Sequence, residues 1–300
     1  MHILISGGTG FIGQYLVPAL LAEGHYITLW ARSETKVQGL YGDSVSCVTA
    51  LDALENNAVI DAVINLAGEG IADARWTEKR KGILLSSRVG TTDALVALIE
   101  RLETKPAVML SGSAIGFYGS QPPEKELGEE AEPQAEFTHE LCQRWEASAL
   151  RAEASGVRVC LLRTGIVLGR GGALAKMLPP FRFGLGGRIA SGVQVMSWVH
   201  IQDELGMILY LLKHAECSGA FNLTAPGAVS NCEFSAELGR ALHRPALLPL
   251  PSIVPRLLLG EGAVLLLQGQ RVYPQRLEAA GYKFSYPELP TALEAVLADW

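Results

Sequence analysis

Residues 6–13 read SGGTGFIG, which puts glycines at positions 7, 10 and 13 between a short apolar run and a helical one. Each glycine meets a need of a pyrophosphate-binding turn: Gly7 permits the tight bend, Gly10 lets the backbone approach phosphate, and Gly13 lets helix and strand pack closely. In such a turn the backbone around Gly7, Thr9, Gly10, Phe11, Ile12 and Gly13 presents amides to an anion, helped by the positive end of the helix dipole. The chemistry indicated is dinucleotide binding. A plain glycine-rich turn has the same letters, and it is the βαβ pattern around it that favours the nucleotide. At the end of the second strand, where an NAD-binding chain places an acid on the ribose 2′-hydroxyl, the sequence runs Trp30-Ala31-Arg32-Ser33. Arg32 offers a planar guanidinium to a 2′-phosphate and Ser33 a hydroxyl donor, which favours NADP(H) over NAD(H). A solvated surface arginine reads the same way in sequence. DAVINLAG ends in Leu66-Ala67-Gly68, bare backbone that would lie beside the nucleotide.

These residues need a scaffold, and the pattern around them supplies one. Apolar runs rich in β-branched residues, at 2–6, 26–31, 59–66, 107–111 and 157–163, alternate with segments long enough for helical crossovers. The spacing predicts helices over 88–102 and 136–155, the latter stopped by Gly156. The fold class expected is α/β, a Rossmann-like doubly wound parallel sheet with a smaller C-terminal lobe. The nucleotide domain would span 1–170 and the substrate-side lobe 171–300, with part of the latter free to return to the sheet. Pro18 should bend the first helix. Residues 121–136, QPPEKELGEEAEPQAE, hold seven charges and almost nothing apolar, which predicts an exposed, mobile excursion.

GGTGFIG, DAVINLAGE, SGSAIGFYG and LRTGIVLGRGG together resemble the extended short-chain dehydrogenase/reductase superfamily, over most of the chain. AGEGIADARW, SSRVGTTDAL, LCQRWE, MLPPFRFGLGG, SWVHIQD and GQRVYPQRLEAAGYKFSYPEL are similar to its YfcH-type epimerase family, an atypical branch. The resemblance implies NADP(H) as cofactor, with contacts at Ala31, Arg32, Leu66, Ala67, Arg88 and Leu168. Superfamily members that move hydride use a Tyr-x-x-x-Lys pair one helical turn apart, the ammonium lowering the phenol pKa. None of the eight tyrosines here has a lysine four residues later. Aligning the helix on Trp145-Glu146 brings His139 and Gln143 near the two positions. Ser113 falls where the superfamily serine bonds the substrate oxygen, with Tyr118 a few residues on. His139 could replace the tyrosine as acid-base group, although a helix-surface histidine beside an acidic loop fits equally. Asp203 in SWVHIQD is a natural helix N-cap, and His200 either faces the pocket or bonds nearby backbone.

The function expected is an NADP(H)-dependent oxidoreductase or epimerase-like enzyme acting on a small molecule. The rival is a nucleotide-binding sensor or scaffold, because the usual proton-transfer pair is missing while the binding loop is intact. Other classes are poorly supported. Net charge is -6, from 25 lysines and arginines against 31 acids, with no basic cluster, so neither nucleic acid nor an anionic membrane is expected as partner. No apolar run reaches the ~20 residues of a bilayer crossing. The first residues lack the basic and small-residue features of a secretory signal, so a cytoplasmic location is expected. Five scattered cysteines have no metal-ligand spacing and read as reduced. A homodimer through the 88–102 and 136–155 helices is an open expectation.

Overall fold

β-branched and aliphatic runs become strands largely where the sequence places them. In the computed structural model, which describes residues 1–298 and 300, these are β1 (His2–Ser6), β2 (Tyr26–Trp30), β3 (Ser46–Val48), β4 (Ala62–Asn65) and β5 (Val108–Ala114). There follow β6 (Glu126–Leu127), β7 (Arg158–Thr164), β8 (Ile166–Leu168), β9 (Val195–Met196), β10 (Trp198–His200) and β11 (Gly219–Leu223). Seven of them form one sheet in the order β11-β7-β5-β4-β1-β2-β3, every neighbouring pair parallel. The fold is therefore the expected Rossmann-like α/β class. Two sheet strands go beyond the five foreseen. β3 has only three residues at an edge, and β11 carries Asn222 among its apolar residues, so both depend on their neighbours rather than on a run of their own.

The helices are α1 (Phe11–Ala22), α2 (Glu34–Tyr41), α3 (Glu78–Leu85), α4 (Thr91–Arg101), α5 (Phe137–Leu150), α6 (Gly172–Arg182), α7 (Ile201–Lys213), α8 (Asn231–Ala241) and α9 (Ile253–Leu259), followed by shorter turns and a last helix, Leu289–Ala298. Alternation along β1 sends Ile3 and Ile5 to one face, under Leu16 and Leu20 of α1 and Met207 and Leu211 of α7. Leu4 goes to the other, with Val63 and Met109, under Leu95 and Ile99 of α4 and Ala149 of α5. Each fully buried side chain of this size is worth ~1.5–3 kcal/mol. A third cluster, with Leu174, Leu178, Phe234, Leu238 and Leu293, is the core of the C-terminal lobe.

Three expectations change. The helix foreseen at 88–102 starts ten residues earlier: Thr77 caps α3 by accepting from Arg80 N at 3.2 Å, and a π-turn at Ser86–Gly90 joins α3 to α4. Polar EKRKG had hidden that start. The resulting Glu78–Arg101 helix reaches bilayer length by composition alone, but it lies on the sheet with Leu95, Val96, Leu98 and Ile99 buried. α1 includes an exposed Pro18 within its length. Residues 121–136 are exposed only in part: 122–126 lie at the surface, but Gln121, Leu127 and Glu129 are buried, and β6 pairs with Arg271–Val272. Glu129 accepts from the backbone of Asn222 at 3.1 Å and Arg276 at 3.3 Å, so the acidic composition serves an internal tie. Finally, His200 rather than Asp203 caps α7, its Nδ1 accepting from Gln202 N at 3.1 Å. Asp203 instead accepts from the backbone of Ser285 and Tyr286, both at 2.8 Å, and holds down the C-terminal segment.

Next to it, Glu204 is fully buried and accepts from Thr164 Oγ1 at 2.9 Å, while its Oε2 has no partner among the described residues. Burial pushes its carboxyl up to about 8. The unfolded chain releases this proton near 4.5, so the native state is the better proton binder between the two values. Stability from this group is complete below the lower value and is lost as pH rises towards the upper one. The E204Q protein should unfold like the wild type at pH 4 to 5, approximately, and be more stable by on the order of 2–4 kcal/mol at about pH 9. Parallel urea titrations across that range check it, and identical pH profiles for the two proteins would sink the assignment.

Candidate dinucleotide site

The glycine turn lies at the carboxyl end of β1, between β2 and β4, where the chain's direction across the sheet reverses and α/β proteins form their ligand crevice. Gly7 has φ +76°, and a Cβ there would stand 2.5 Å from the carbonyl carbon and oxygen of Leu66. A Cβ on Gly13 would stand 2.5 Å from Gly7 O, so strand and helix meet here without room for a side chain. Gly10 N bonds Gly7 O at 2.9 Å, and Gly10 caps α1 with no side chain to occupy the first-turn amides. Those amides and the helix dipole are thus directed at the crevice. Tyr41 Oη, donating to Gly8 O at 2.6 Å, and Lys36 Nζ, donating to Thr9 O at 3.2 Å, brace the turn from α2.

Beyond β2, Ala31 leads to Arg32, whose side chain is 94% exposed and touches Glu69 Oε1 at 3.3 Å. A surface pair of this kind is worth ~0–1 kcal/mol, so little holds the guanidinium back. Ser33 caps α2 by accepting from Lys36 N at 3.2 Å, which leaves its hydroxyl proton available. Lys36 is a cation that sequence reasoning missed; its place one helical turn after Arg32 was the available signal.

Leu66, Ala67 and Gly68 leave β4 under the control of buried Asn65, which accepts from Ser6 Oγ at 2.6 Å and Ala67 N at 3.3 Å and donates to Thr92 Oγ1 at 2.8 Å. Arg88 sits in the π-turn and donates to Glu69 O at 2.9 Å and Leu84 O at 3.2 Å. Its Cζ lies 3.1 Å from where a Gly68 Cβ would be, and burial lowers its pKa. Leu168, expected to touch the nucleotide, is fully buried, backbone included, and presents no surface to a ligand. The turn after it closes on α1: Cβ atoms at Gly169 and Gly172 would each stand 2.9 Å from the Phe11 ring. Arg32, Arg88, the glycine turn and residues 66–68 are all brought to one sheet edge.

Ser113, on β5, points at α5 and donates to Glu146 Oε1 at 2.6 Å. Glu146 receives Arg163 Nε and Nη2, both at 2.9 Å, with both side chains buried. Arg163 also donates to Tyr118 Oη at 3.0 Å, and Tyr118 donates to Asn222 Oδ1 at 2.6 Å. Burial pushes the Tyr118 phenol up to about 12, so it is no ready acid. This network was not foreseen, although an arginine inside the apolar run VCLLRTG was a signal for it.

The α5 face that meets β5 carries Thr138, Cys142 and Glu146, four residues apart, and Cys142 Sγ bonds Ala114 O at 3.7 Å. Those are the positions from which a tyrosine and a lysine could reach Ser113. The expected pair His139 and Gln143 is one step around the helix. Gln143 is exposed, and His139 Nδ1 bonds Phe117 O at 2.7 Å on the rim of an open depression of about 580 Å³ shared with Glu78 and Lys81. Phase along the helix, which an alignment on two residues left loose, decides this. The structure does not bring His139 to Ser113.

A doubly wound parallel sheet with a glycine turn at its switch point and a serine on β5 facing α5 defines a Rossmann-type dinucleotide-binding protein. Residues 3–224 match the NAD dependent epimerase/dehydratase family, and the chain belongs to that family. Residues 250–296 match a domain of unknown function, DUF1731. Over 300 residues the chain is 36% identical to the epimerase family protein YfhF of Bacillus subtilis, covering 100% of this chain and 99% of that one. The crystal structure of the human epimerase family protein SDR39U1 (isoform 2) with NADPH superposes with a TM-score of 0.91 at 37% identity, covering 100% of both chains. UDP-glucose 4-epimerase of Thermus thermophilus, in complex with NAD, has a TM-score of 0.78 at 18% identity over 99% of this chain and 98% of that one, a likeness of fold alone.

Proposed function

We propose that this chain binds NADP(H) and works as an atypical, YfcH-type short-chain dehydrogenase/reductase on a small molecule held between the sheet edge and the C-terminal lobe. The observation that carries the reading is the turn at Gly7, Gly10 and Gly13, packed so closely that a Cβ at any of the three would stand within 3.1 Å of backbone. The amides of 7–13 would hold the pyrophosphate, and Arg32, Ser33 and Lys36 the 2′-phosphate. Ala31, Leu66, Ala67 and Gly68 would line the nucleotide, with the Arg88 cation behind Gly68. The human relative described with NADPH supports the choice of nucleotide. When bound, the nicotinamide supplies hydride chemistry. Ser113 donates its hydroxyl hydrogen bond to Glu146, so its oxygen keeps lone pairs to accept a hydrogen bond from a substrate hydroxyl.

The test is incubation of pure protein with NADPH and a panel of carbonyl compounds and nucleotide sugars, following absorbance of the reduced ring together with binding. Turnover supports the enzyme. Tight binding without turnover of any substrate supports a second reading, a nucleotide-binding sensor, which is favoured by Thr138 and Cys142 standing where the acid-base pair would be. For the cofactor, Arg32→Asp should weaken NADPH by on the order of 10–100-fold, the loss of a charge-assisted pair, and NADH by far less. Calorimetry with both nucleotides measures this. An equal loss of both removes the case for the 2′-phosphate.

A further inference from the structure

Two segments far apart in sequence expose large apolar side chains: Phe183 is 80% exposed and Leu185 61%, Leu247 82% and Leu248 52%, Leu257 66% and Leu258 67%. The fold makes one surface of them. Leu248 N donates to Gly186 O at 3.1 Å, Leu250 N to Arg188 O at 2.9 Å, and Arg244 Nε to Arg182 O at 3.2 Å, and α9 starts three residues after Leu250. Scattered exposed leucines are ordinary, but a joined patch of this kind marks a surface that meets something apolar. The charge around it identifies the occupant. Residues 172–194 and 238–260, which build the patch, contain six of the chain's 25 lysines and arginines and none of its 31 acids. Lys176 and Arg240 are paired with Asp73 and Glu237. Arg188, Arg244 and Arg256 are exposed and form no ion pair among the described residues.

We infer that this face docks on an anionic lipid surface. The leucines and Phe183 enter the boundary between headgroups and acyl chains, and the arginines meet lipid phosphates. A second copy fits poorly, because a two-fold contact sets the patch against itself and puts cation opposite cation. A net charge of -6 conceals this face, since each segment alone has only three cations, and Glu237 and Glu261 stand just outside the second. The inference does not depend on the dinucleotide reading.

The full chain is sedimented with vesicles of phosphatidylcholine alone and of phosphatidylcholine containing phosphatidylglycerol. Binding to the anionic vesicles should be at least about tenfold stronger, and should weaken as salt is added. The L247D/L257D protein should lose binding. The R188A/R256A protein, which leaves the apolar side chains in place, should bind the anionic vesicles more weakly by about fivefold per cation removed. Both substitutions lie on exposed side chains, and an unchanged melting temperature confirms that each variant is folded. The proposal is overturned by absence of sedimentation with anionic vesicles at low salt, or by full binding in the R188A/R256A protein. A concentration-dependent dimer in ultracentrifugation that L247D/L257D abolishes also overturns it, since the patch is then a self-contact.

Discussion

Glu146→Ala should destabilise the native state by about 3–5 kcal/mol, the cost of leaving a buried cation without its partner. Two of Arg163's four hydrogen bonds go to neutral groups, Tyr118 Oη and Glu129 O, and among the described residues its only carboxylate partner is Glu146, at 2.9 Å from both Nε and Nη2. Nothing else among the described residues neutralises the guanidinium inside the sheet–α5 layer. Urea unfolding of the single variant measures the loss. The double variant E146Q/R163M should recover much of it, because removing both charges also removes their desolvation. If the single substitution costs less than about 1 kcal/mol, in the range of an exposed pair, the network is not the buried charge centre described here. Glu146→Ala also removes the acceptor of the Ser113 hydroxyl, so any activity found with a substrate panel should change in that protein under conditions where it stays folded.

Gly7→Ala should abolish usable dinucleotide affinity, by on the order of 100-fold or more, while costing the fold less. The substituted residue would have to keep φ +76°, a conformation that costs a non-glycine residue ~1–2 kcal/mol, and its Cβ would overlap the Leu66 carbonyl at 2.5 Å. The neighbour is backbone, not the end of a flexible side chain, so the turn itself must shift, and with it the amides aimed at the pyrophosphate. Gly24→Ala is the control. Gly24 has φ +80° with nothing within 4 Å of its would-be Cβ, so it carries the conformational cost without the displacement. Melting should fall in both proteins, and calorimetry with NADPH should register the loss only in the first. Comparable binding by both variants would mean that the turn does not hold the nucleotide.

The glycine turn, the parallel sheet and the basic residue after β2 were legible in the amino-acid sequence because each depends on neighbours within a few residues. A positive φ, the first turn of a helix and the period of a strand are local properties, and SGGTGFIG states all three. The sequence by itself also determined that no tyrosine stands four residues before a lysine. Only the tertiary structure decided which face of α5 meets Ser113, since a one-residue phase shift turns His139 out and Cys142 in, and letters do not carry phase. The same holds for Glu146 with Arg163, 17 residues apart and joined across a strand, and for Glu129, an acid in a polar stretch that ends up tied to the backbone of Asn222. It holds again for the basic apolar face, whose halves lie some 50 residues apart. Such features arise where elements pack on one another, and packing couples residues by distance in space, for which distance along the chain is no guide.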